Sequence, residues 1–377
     1  MRALRVAPFL LLFSLVCAAS ASAAPSVTTI ADSLDSPRHL AFGKAGDLFI
    51  AEAGRGGSGP CFQGGEGPAC MGDSGGVTRV GHRKGRQSHI AAGLPSYANT
   101  GTNENAIGPH GIFVLGTRRV YITNGGPTNP SDANGTILRG TLAAENPAAE
   151  LFGRVLHLRK SGEIRRVGDI WDFEHRVNPD QAVGNPAVDS NPVDLLRMHG
   201  RWFVADAGGN AIDVVDHGEV SNVALFPNRP GVPGPAPGSL IDMQAVPTSV
   251  VRGPDGSLYV SQLTGFPFPL GGANIYKVDP ASGAVSTFAT GFTNLMDLTF
   301  GSDGTLYAIE IDHDSLLGGS NEGALWKVDR SGAKEQIALP AGSLPMPGGI
   351  TFRKDALYVS VDSGSPGYGR VVRITGF

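Results

Sequence analysis

The stretch PTSVVRGPDGSLYVSQ, residues 247–262, decides the fold. An apolar strand after Pro247 leads into Pro254-Asp255-Gly256, a turn built from residues that fix φ or tolerate positive φ. The strand that follows alternates in polarity, with Leu258 and Val260 on one face. This pattern predicts an antiparallel hairpin.

The same pattern recurs along the chain. Its six copies are residues 37–52, 109–124, 192–206, 247–262, 295–310 and 347–362. A second hairpin follows most copies, as in residues 274–278 with 284–288, so each unit supplies four antiparallel strands. Six such units predict an all-β fold, a six-bladed β-propeller of four-stranded blades. A right-handed β-helix would show shorter, more regular periods and no paired hairpin turns.

The last unit lacks a fourth strand. Residues 26–31 are strand-like and belong to no complete unit. We expect this N-terminal strand to pair with residues 370–375, which would complete the last blade and protect a sheet edge. Residues 24–377 are therefore predicted to form a single propeller domain.

Residues 1–23 have the pattern of a signal peptide. An apolar run over residues 7–16 follows a short basic start and precedes the small-residue site Ala21-Ser22-Ala23. A lipoprotein signal through Cys17 is the alternative, which the bulky Val16 disfavours. The run is shorter than the roughly 20 residues of a membrane span. The sequence thus predicts a secreted or periplasmic protein whose mature chain has no membrane span.

Composition restricts the partners. The sequence has 34 acidic against 30 basic residues, and loss of the signal would remove Arg2 and Arg5. A weakly acidic chain argues against nucleic acid or an anionic membrane surface as the partner. Cys61 and Cys70 would be the two cysteines left, and an exported chain favours a disulfide between them over two free thiols.

The long loops are predicted to share one face. With the strands of a blade numbered 1 to 4 from the centre outward, loops 2–3 and 4–1 leave from the same side. All long segments fall there, and we call this side the crown: residues 53–75, 96–108, 125–134, 171–191, 227–246, 263–273 and 311–323. Variable loops on a rigid scaffold usually carry binding. The opposite face, formed by short turns, is expected to be tight and featureless.

Polar residues should line the mouth of the central channel on the crown side. Strand 2 ends in Glu52, Asn124, Asp206, Gln262 and Glu310, and strand 1 begins with His39, His110, Asp194, Ser249 and Asp297. The predicted binding residues are His39, His110, Asp194, Gln262 and Asp297.

A calcium ion is the candidate cofactor. The oxygens of Glu52, Asn124, Asp206 and Glu310 suit a hard cation. The alternative is that these residues cap the backbone of the next loop, which their repetition in nearly every copy favours. His39 and His110 are ligands, general bases or packed channel histidines. The catalytic residues stay unknown, because no nucleophile elbow, HExxH, P-loop or CxxC motif is present.

Several motifs resemble the ScyD/ScyE family over essentially the whole mature chain. They are SPRHLAFGKAGDLFIAEAGRGGSGPC (36–61), GGVTRV (75–80), IGPHGIFV (107–114) and YVSQLTGFPFPLGGANIYKVDP (259–280). The resemblance implies an exported propeller of the NHL/SMP-30-like kind and no established reaction.

A more distant resemblance links the chain to SMP-30/gluconolactonase enzymes, which hold a metal at the channel mouth with Glu, Asn and Asp. By position in the repeat, Glu52, Asn124 and Asp206 would take those roles. Two hypotheses follow: a propeller that binds a small molecule, glycan or protein at the loop-rich face, or a calcium-dependent hydrolase at the channel mouth.

Overall fold

The computed structural model describes residues 24–64, 67–127 and 137–377. The chain runs β1 (Ser26–Leu34), β2 (Pro37–Phe42), β3 (Leu48–Glu52), β4 (Cys61–Gly64), β5 (Gly67–Val80), β6 (Gln87–Asn99), β7 (Pro109–Leu115), β8 (Arg119–Asn124), α1 (Leu138–Glu145), β9 (Arg154–Leu158), β10 (Ile164–Asp169), α2 (Ile170–Val177), β11 (Pro192–Met198), β12 (Arg201–Asp206), β13 (Ala211–Asp216), β14 (Glu219–Leu225), β15 (Arg229–Pro233) and β16 (Leu240–Met243). It continues through β17 (Pro247–Arg252), β18 (Leu258–Gln262), β19 (Ala273–Val278), β20 (Val285–Phe292), β21 (Leu295–Phe300), β22 (Leu306–Glu310), β23 (Ala324–Val328), β24 (Lys334–Gln336), β25 (Gly349–Arg353), β26 (Ala356–Val361) and β27 (Gly369–Thr375).

Six sheets with four blade strands each form from the described residues, as the repeat predicts. From the centre outward they are β2-β3-β5-β6, β7-β8-β9-β10, β11-β12-β13-β14, β17-β18-β19-β20, β21-β22-β23-β24 and β25-β26-β27-β1. All these pairings are antiparallel. The innermost strands contact one another in a closed cycle, β2-β7-β11-β17-β21-β25 and back to β2. The fold is therefore a six-bladed β-propeller.

The N-terminal strand completes blade six. β1 pairs with β27 in the register Val27–Ile374 and Thr28–Arg373. Leu34 at the end of β1 is fully buried. The predicted closure is confirmed, and the edge of β27 is covered.

The core lies between blades. All five residues of β3 and of β18 are buried, because a middle strand packs against neighbouring blades on both faces. Phe203 of blade three packs in one cluster with Val250 and Leu258 of blade four. These apolar contacts between blades hold the ring together, since burial of one large apolar side chain stabilises the folded state by roughly 1.5–3 kcal/mol.

The crown contains more regular structure than the sequence predicts. β4 and the first half of β5 form a hairpin in the first crown loop, and the predicted disulfide joins Cys61 and Cys70 across it. In blade two the loop on this side extends beyond residue 134 to β9 and contains α1 and the 3₁₀ turn Pro147–Leu151. A second 3₁₀ turn, Pro179–Val183, follows α2 in the crown loop 171–191. β15 and β16 make a separate hairpin.

Two sequence predictions lie wholly or partly outside the described residues. The predicted signal over residues 1–23 is outside them, as is most of the crown loop 125–134. None of the helices in the described part of the chain has the length and hydropathy needed to cross a membrane.

Candidate functional site

The third residue of each repeat copy, at or near the start of the innermost strand, lines the central channel. In blade order the residues are His39, Gly111, Asp194, Ser249, Asp297 and Gly349. Five of these strands have a register shift directly after their first residue, as between Pro192 and Asp194. A bulge of this kind redirects the next side chain. Where the residue is not glycine, the start of the repeat copy therefore directs one side chain toward the axis.

His39, Asp194 and Asp297 converge in the channel. One ligand atom from each lies within 4.8 Å of the others, and no other His, Cys, Asp or Glu group in the described ranges meets this criterion. His39 Nε2 is 3.6 Å from Asp297 Oδ1. The three residues are only 4%, 7% and 4% exposed. The channel thus collects the strand-1 residues that the sequence predicts.

Each channel carboxylate also joins two blades. Asp297 accepts hydrogen bonds from Leu298 N in its own blade (2.7 Å) and from Ile350 N in blade six (2.7 Å). Asp194 accepts in the same way from its neighbour Leu195 N and from Val250 N of blade four. Both oxygens of each carboxylate therefore have one backbone donor and keep lone pairs for a further ligand.

His110 lies beside His39, with ring centroids 6.0 Å apart and an interplanar angle of 62°. Within the described structure, neither ring nitrogen of either histidine has a hydrogen-bond partner, although both side chains are buried. A buried polar atom without a partner costs about 1–3 kcal/mol. These nitrogens are the strongest indication that the channel takes a ligand.

Small residues allow the strands to approach closely here. A Cβ on Gly111 would lie 2.5 Å from Asp194 Cα, and one on Gly349 would lie 2.7 Å from His39 Cα. Any side chain at either position would separate the innermost strands. Glycine at these two positions therefore keeps the channel groups together.

Burial disfavours charge of either sign in the channel. It raises the pKa of Asp194 to about 7 and the pKa of Asp297 well above its usual range, the latter also because Asp194 is near. Burial and the neighbouring Arg38 lower the pKa of His39 to about 3 and hold the pKa of His110 well below its usual range. A bound cation would reverse the preference of the carboxylates, since it stabilises them as anions, and would bind the histidines in the neutral form that burial already favours.

The donor set fits a divalent cation. Two carboxylates, one imidazole and a second imidazole nearby supply both oxygen and nitrogen atoms. Calcium takes oxygen ligands, whereas imidazole suits zinc, copper, iron or nickel ions, and carboxylates also suit manganese. The mixed donor set of the channel therefore favours zinc or a transition-metal ion over the calcium that the sequence suggests.

The residues at the ends of strand 2 have a different position. Glu52 Oε2 accepts from Asp35 N (2.8 Å), Asp206 Oδ1 from Asn191 N (2.6 Å) and Glu310 Oε1 from Thr293 N (2.6 Å). Each bond ties the end of strand 2 to the loop that enters the same blade. This is the capping role that their repetition favours, and none of the three carboxylates belongs to a ligand group among the described residues.

Asn124 and Gln262 also bond within their own blades. Asn124 Nδ2 donates to Leu151 O (3.4 Å), and Gln262 Oε1 accepts from Asn274 N (3.1 Å) and Tyr276 Oη (3.1 Å). Gln262 was predicted at the channel mouth beside His39. In the structure, its hydrogen bonds join strands 2 and 3 of blade four.

A buried acidic cluster beside blade three was not predicted. It consists of Glu174, Asp180, Asp189, Asp206 and Asp213. Burial and then the Asp206 carboxylate raise the pKa of Glu174 to about 9 and that of Asp189 to about 8. These residues are far apart in sequence with no motif spacing, so only the docking of α2 against blade three reveals them.

Exposed apolar side chains concentrate on the crown. Of the eight large apolar side chains that are exposed in the described ranges, two lie on outer strands, Ile90 and Val285. Of the other six, five belong to crown loops, and Tyr368 lies in the β26–β27 loop, which leaves blade six on the same side. The five are Val177, Leu240, Phe266, Leu270 and Leu317.

These crown loops are fastened to one another. Ser315 Oγ donates to Phe268 O (2.8 Å), which joins the loops of blades four and five. Arg229 of the β15–β16 hairpin donates to Gly272 O (2.9 Å). The apolar crown side chains thus stand on a connected surface.

Comparison with solved structures supports the architecture. A gluconolactonase from Xanthomonas campestris has a TM-score of 0.53 at 11% identity, with 96% of this chain and 93% of that chain covered. The fold is that of a β-propeller. A streptogramin B lyase (TM-score 0.48, 13% identity, 95% and 99% covered) and a virginiamycin B lyase from Staphylococcus aureus (TM-score 0.48, 12% identity, 93% and 99% covered) are also similar. No family model and no curated protein matches the sequence.

Proposed function

We propose that this chain is an exported binding propeller of the ScyD/ScyE type, which takes a small molecule, glycan or protein on its crown. One observation carries the proposal: six of the eight exposed large apolar side chains in the described ranges lie on the crown side of the ring, five of them in crown loops. Apolar exposure gathered on one side of a molecule is typical of an interaction site.

The crown loop of blade four is central to this surface. It presents Phe266 (44% exposed) and Leu270 (65% exposed) within the QLTGFPFPLGG motif that carries the family resemblance. Leu317 of the next blade (59% exposed) lies in the loop joined to it through Ser315 and Phe268. Anchored loops lose little conformational entropy on binding, which favours affinity.

A ligand screen with matched variants tests the proposal. Soluble glycans and aromatic small molecules are titrated while the melting temperature is recorded, since a ligand of the folded state raises it. A crown ligand should lose its effect in Phe266→Ser/Leu317→Ser. It should keep its effect in Ile90→Ser/Val285→Ser, which removes the same kind of side chain from outer strands. Equal loss in both variants, or binding unaffected by the crown variant, would overturn the proposal.

A metal-dependent hydrolase is the second candidate, and the convergence of His39, Asp194 and Asp297 favours it. These residues would hold the ion, which when bound would polarise a carbonyl group of an ester or lactone. His110 has ring nitrogens without partners in the described structure, and as the neutral imidazole that its low pKa favours it would offer a bound substrate one hydrogen-bond donor and one acceptor. The burial of all four residues argues that the ion is enclosed, so this candidate requires the crown side of the channel to admit substrate.

A further inference from the structure

The face opposite the crown is neither tight nor featureless, contrary to the sequence expectation. It carries two adjoining grooves of 540 and 370 Å³ at blades one and two. Both are lined by Thr117 and Arg118 of the β7–β8 turn. Lys44 N donates to Gly116 O (2.7 Å), so the inner turns of the two blades are in direct contact. The grooves therefore form one continuous surface, which we call the basic face.

Cationic side chains dominate this surface and its rim. Arg83, Lys84 and Arg86 from the β5–β6 turn line the first groove, and Arg119 and Lys160 line the second. Eight cations of blades one and two are exposed and have no carboxylate partner among the described residues: Lys44, Arg83, Lys84, Arg86, Arg118, Arg119, Lys160 and Arg165. The chain as a whole has a net charge of −4, so positive charge is segregated here.

Asp47 holds the β5–β6 turn in place. Its Oδ2 accepts from Arg79 Nε (2.8 Å), and its Oδ1 accepts from His82 N (3.0 Å) and is 3.0 Å from His82 Nδ1. The side chain is 96% buried. Asp47 is thus occupied by Arg79 and His82, and the next three cations of the turn extend into the groove without a counterion. A fixed turn that presents unpaired cations is suited to binding anions.

We propose that the basic face binds an anionic polysaccharide, a linear chain with repeated sulfate, phosphate or carboxylate groups. Charge complementarity supplies the attraction, and the two joined grooves can follow an extended chain. This site is separate from the crown and does not depend on the ligand proposed there.

The lining of the grooves favours a polysaccharide over other polyanions. Among the described residues, no Phe, Tyr or Trp lines either groove, and both imidazoles of the lining are engaged. His82 Nδ1 lies 3.0 Å from Asp47 Oδ1, and the ring face of His157 is stacked on Tyr121. Single-stranded nucleic acids are bound through bases stacked on aromatic rings. The sequence pI is about 6.1, whereas DNA-binding domains usually exceed about 9. No exposed large apolar side chain among the described residues lines either groove, which disfavours insertion into a membrane.

The test uses heparin as the probe and the whole folded chain. Binding is measured by calorimetry at several salt concentrations, with neutral dextran as the blank. Arg83→Glu/Arg118→Glu should lower the affinity for heparin about tenfold or more and flatten its salt dependence, because two exposed cations become anions. The matched control, Arg252→Glu/Arg330→Glu, makes the same charge change on the same face of blades four and five. It should keep the affinity within about twofold.

Competition arms identify the class of partner. Short duplex DNA and vesicles of phosphatidylcholine with phosphatidylserine are added to the heparin complex, and neither should compete as well as dextran sulfate. No binding of heparin, equal loss in the control variant, or better competition by DNA or vesicles would overturn the proposal. The neutral pair Arg83→Gln/Arg118→Gln, checked by circular dichroism, replaces the charge-reversal variant if that variant does not fold.

Discussion

Asp194 in blade three accepts a hydrogen bond from the backbone N–H of Val250 in blade four, at 2.8 Å. Asp297 bonds blade six to blade five in the same way through Ile350. The carboxylates that converge in the channel therefore also connect neighbouring blades through hydrogen bonds. This double role separates two questions that mutations can address: what holds the ring together, and what the channel binds.

Removal of a connector should destabilise the protein. Asp297→Ala leaves the buried N–H groups of Leu298 and Ile350 without this acceptor, and each unsatisfied group costs about 1–3 kcal/mol. The free energy of unfolding from urea titration should therefore fall by about 2–4 kcal/mol. Glu219→Ala, at an exposed position, should change it by less than about 0.5 kcal/mol. Equal stability of the two variants would show that the inter-blade bonds contribute nothing.

Metal binding distinguishes the channel residues from the strand-2 residues. Zn²⁺ or Mn²⁺ should raise the melting temperature of the wild type, and an ion at 100 times its dissociation constant stabilises by about 2.7 kcal/mol. His39→Ala should lose this effect. Glu52→Gln should retain it, because Glu52 bonds to Asp35 N and lies outside the channel group. The opposite pattern would restore the ligand set suggested by the sequence, and no effect in the wild type would remove the hydrolase candidate.

Glu174 should make stability fall as the pH rises. Burial raises its pKa from 4.5 to about 9, so the folded protein keeps a proton that the unfolded chain loses above about pH 4.5. Its contribution is fully present below that pH and is lost progressively toward pH 9. Glu174→Gln should therefore be more stable than the wild type at pH 8.5, by about 1–3 kcal/mol, and similar to it at pH 4. Glu219→Gln is the control, and a pH-independent difference for Glu174→Gln would contradict this account.

The N-terminal strand should be required for a monodisperse ring. A chain that begins after Leu34 lacks β1 and leaves the edge of β27 unpaired, and such an edge recruits other chains. Size-exclusion chromatography should show oligomers or aggregates, with a lower melting temperature. A chain that begins at Ala24 keeps β1 and should behave as a single species. Identical elution and melting of the two chains would mean that β1 is dispensable.

Much of the fold could be predicted because the hairpin signals are local. Turns such as Pro254-Asp255-Gly256 and the alternation of Leu258 and Val260 define each unit, and counting the units indicates the ring. The pairing of Val27 with Ile374 followed from an incomplete last unit, and the structure confirms it.

The site was only partly predictable because it depends on contacts between blades. The polar ends of strand 2 and the polar starts of strand 1 are equally conspicuous in sequence. Only the bulge at the start of strand 1 selects His39, Asp194 and Asp297 for the axis. Alternation along the copies was the available signal, since bulky and small residues take turns at the third position. The basic face was missed because residues 81–86 and 116–119 are distant in sequence, and the acidic net charge concealed them.

The alternation at the axis links the channel to the number of blades. His39, Asp194 and Asp297 come from blades one, three and five, and Gly111, Ser249 and Gly349 come from the blades between them. A strict large–small order can close on itself only when the number of units is even. Gain or loss of a single blade would therefore place two bulky or two small residues side by side at the axis. This arrangement of channel residues can be kept only in propellers with an even number of blades.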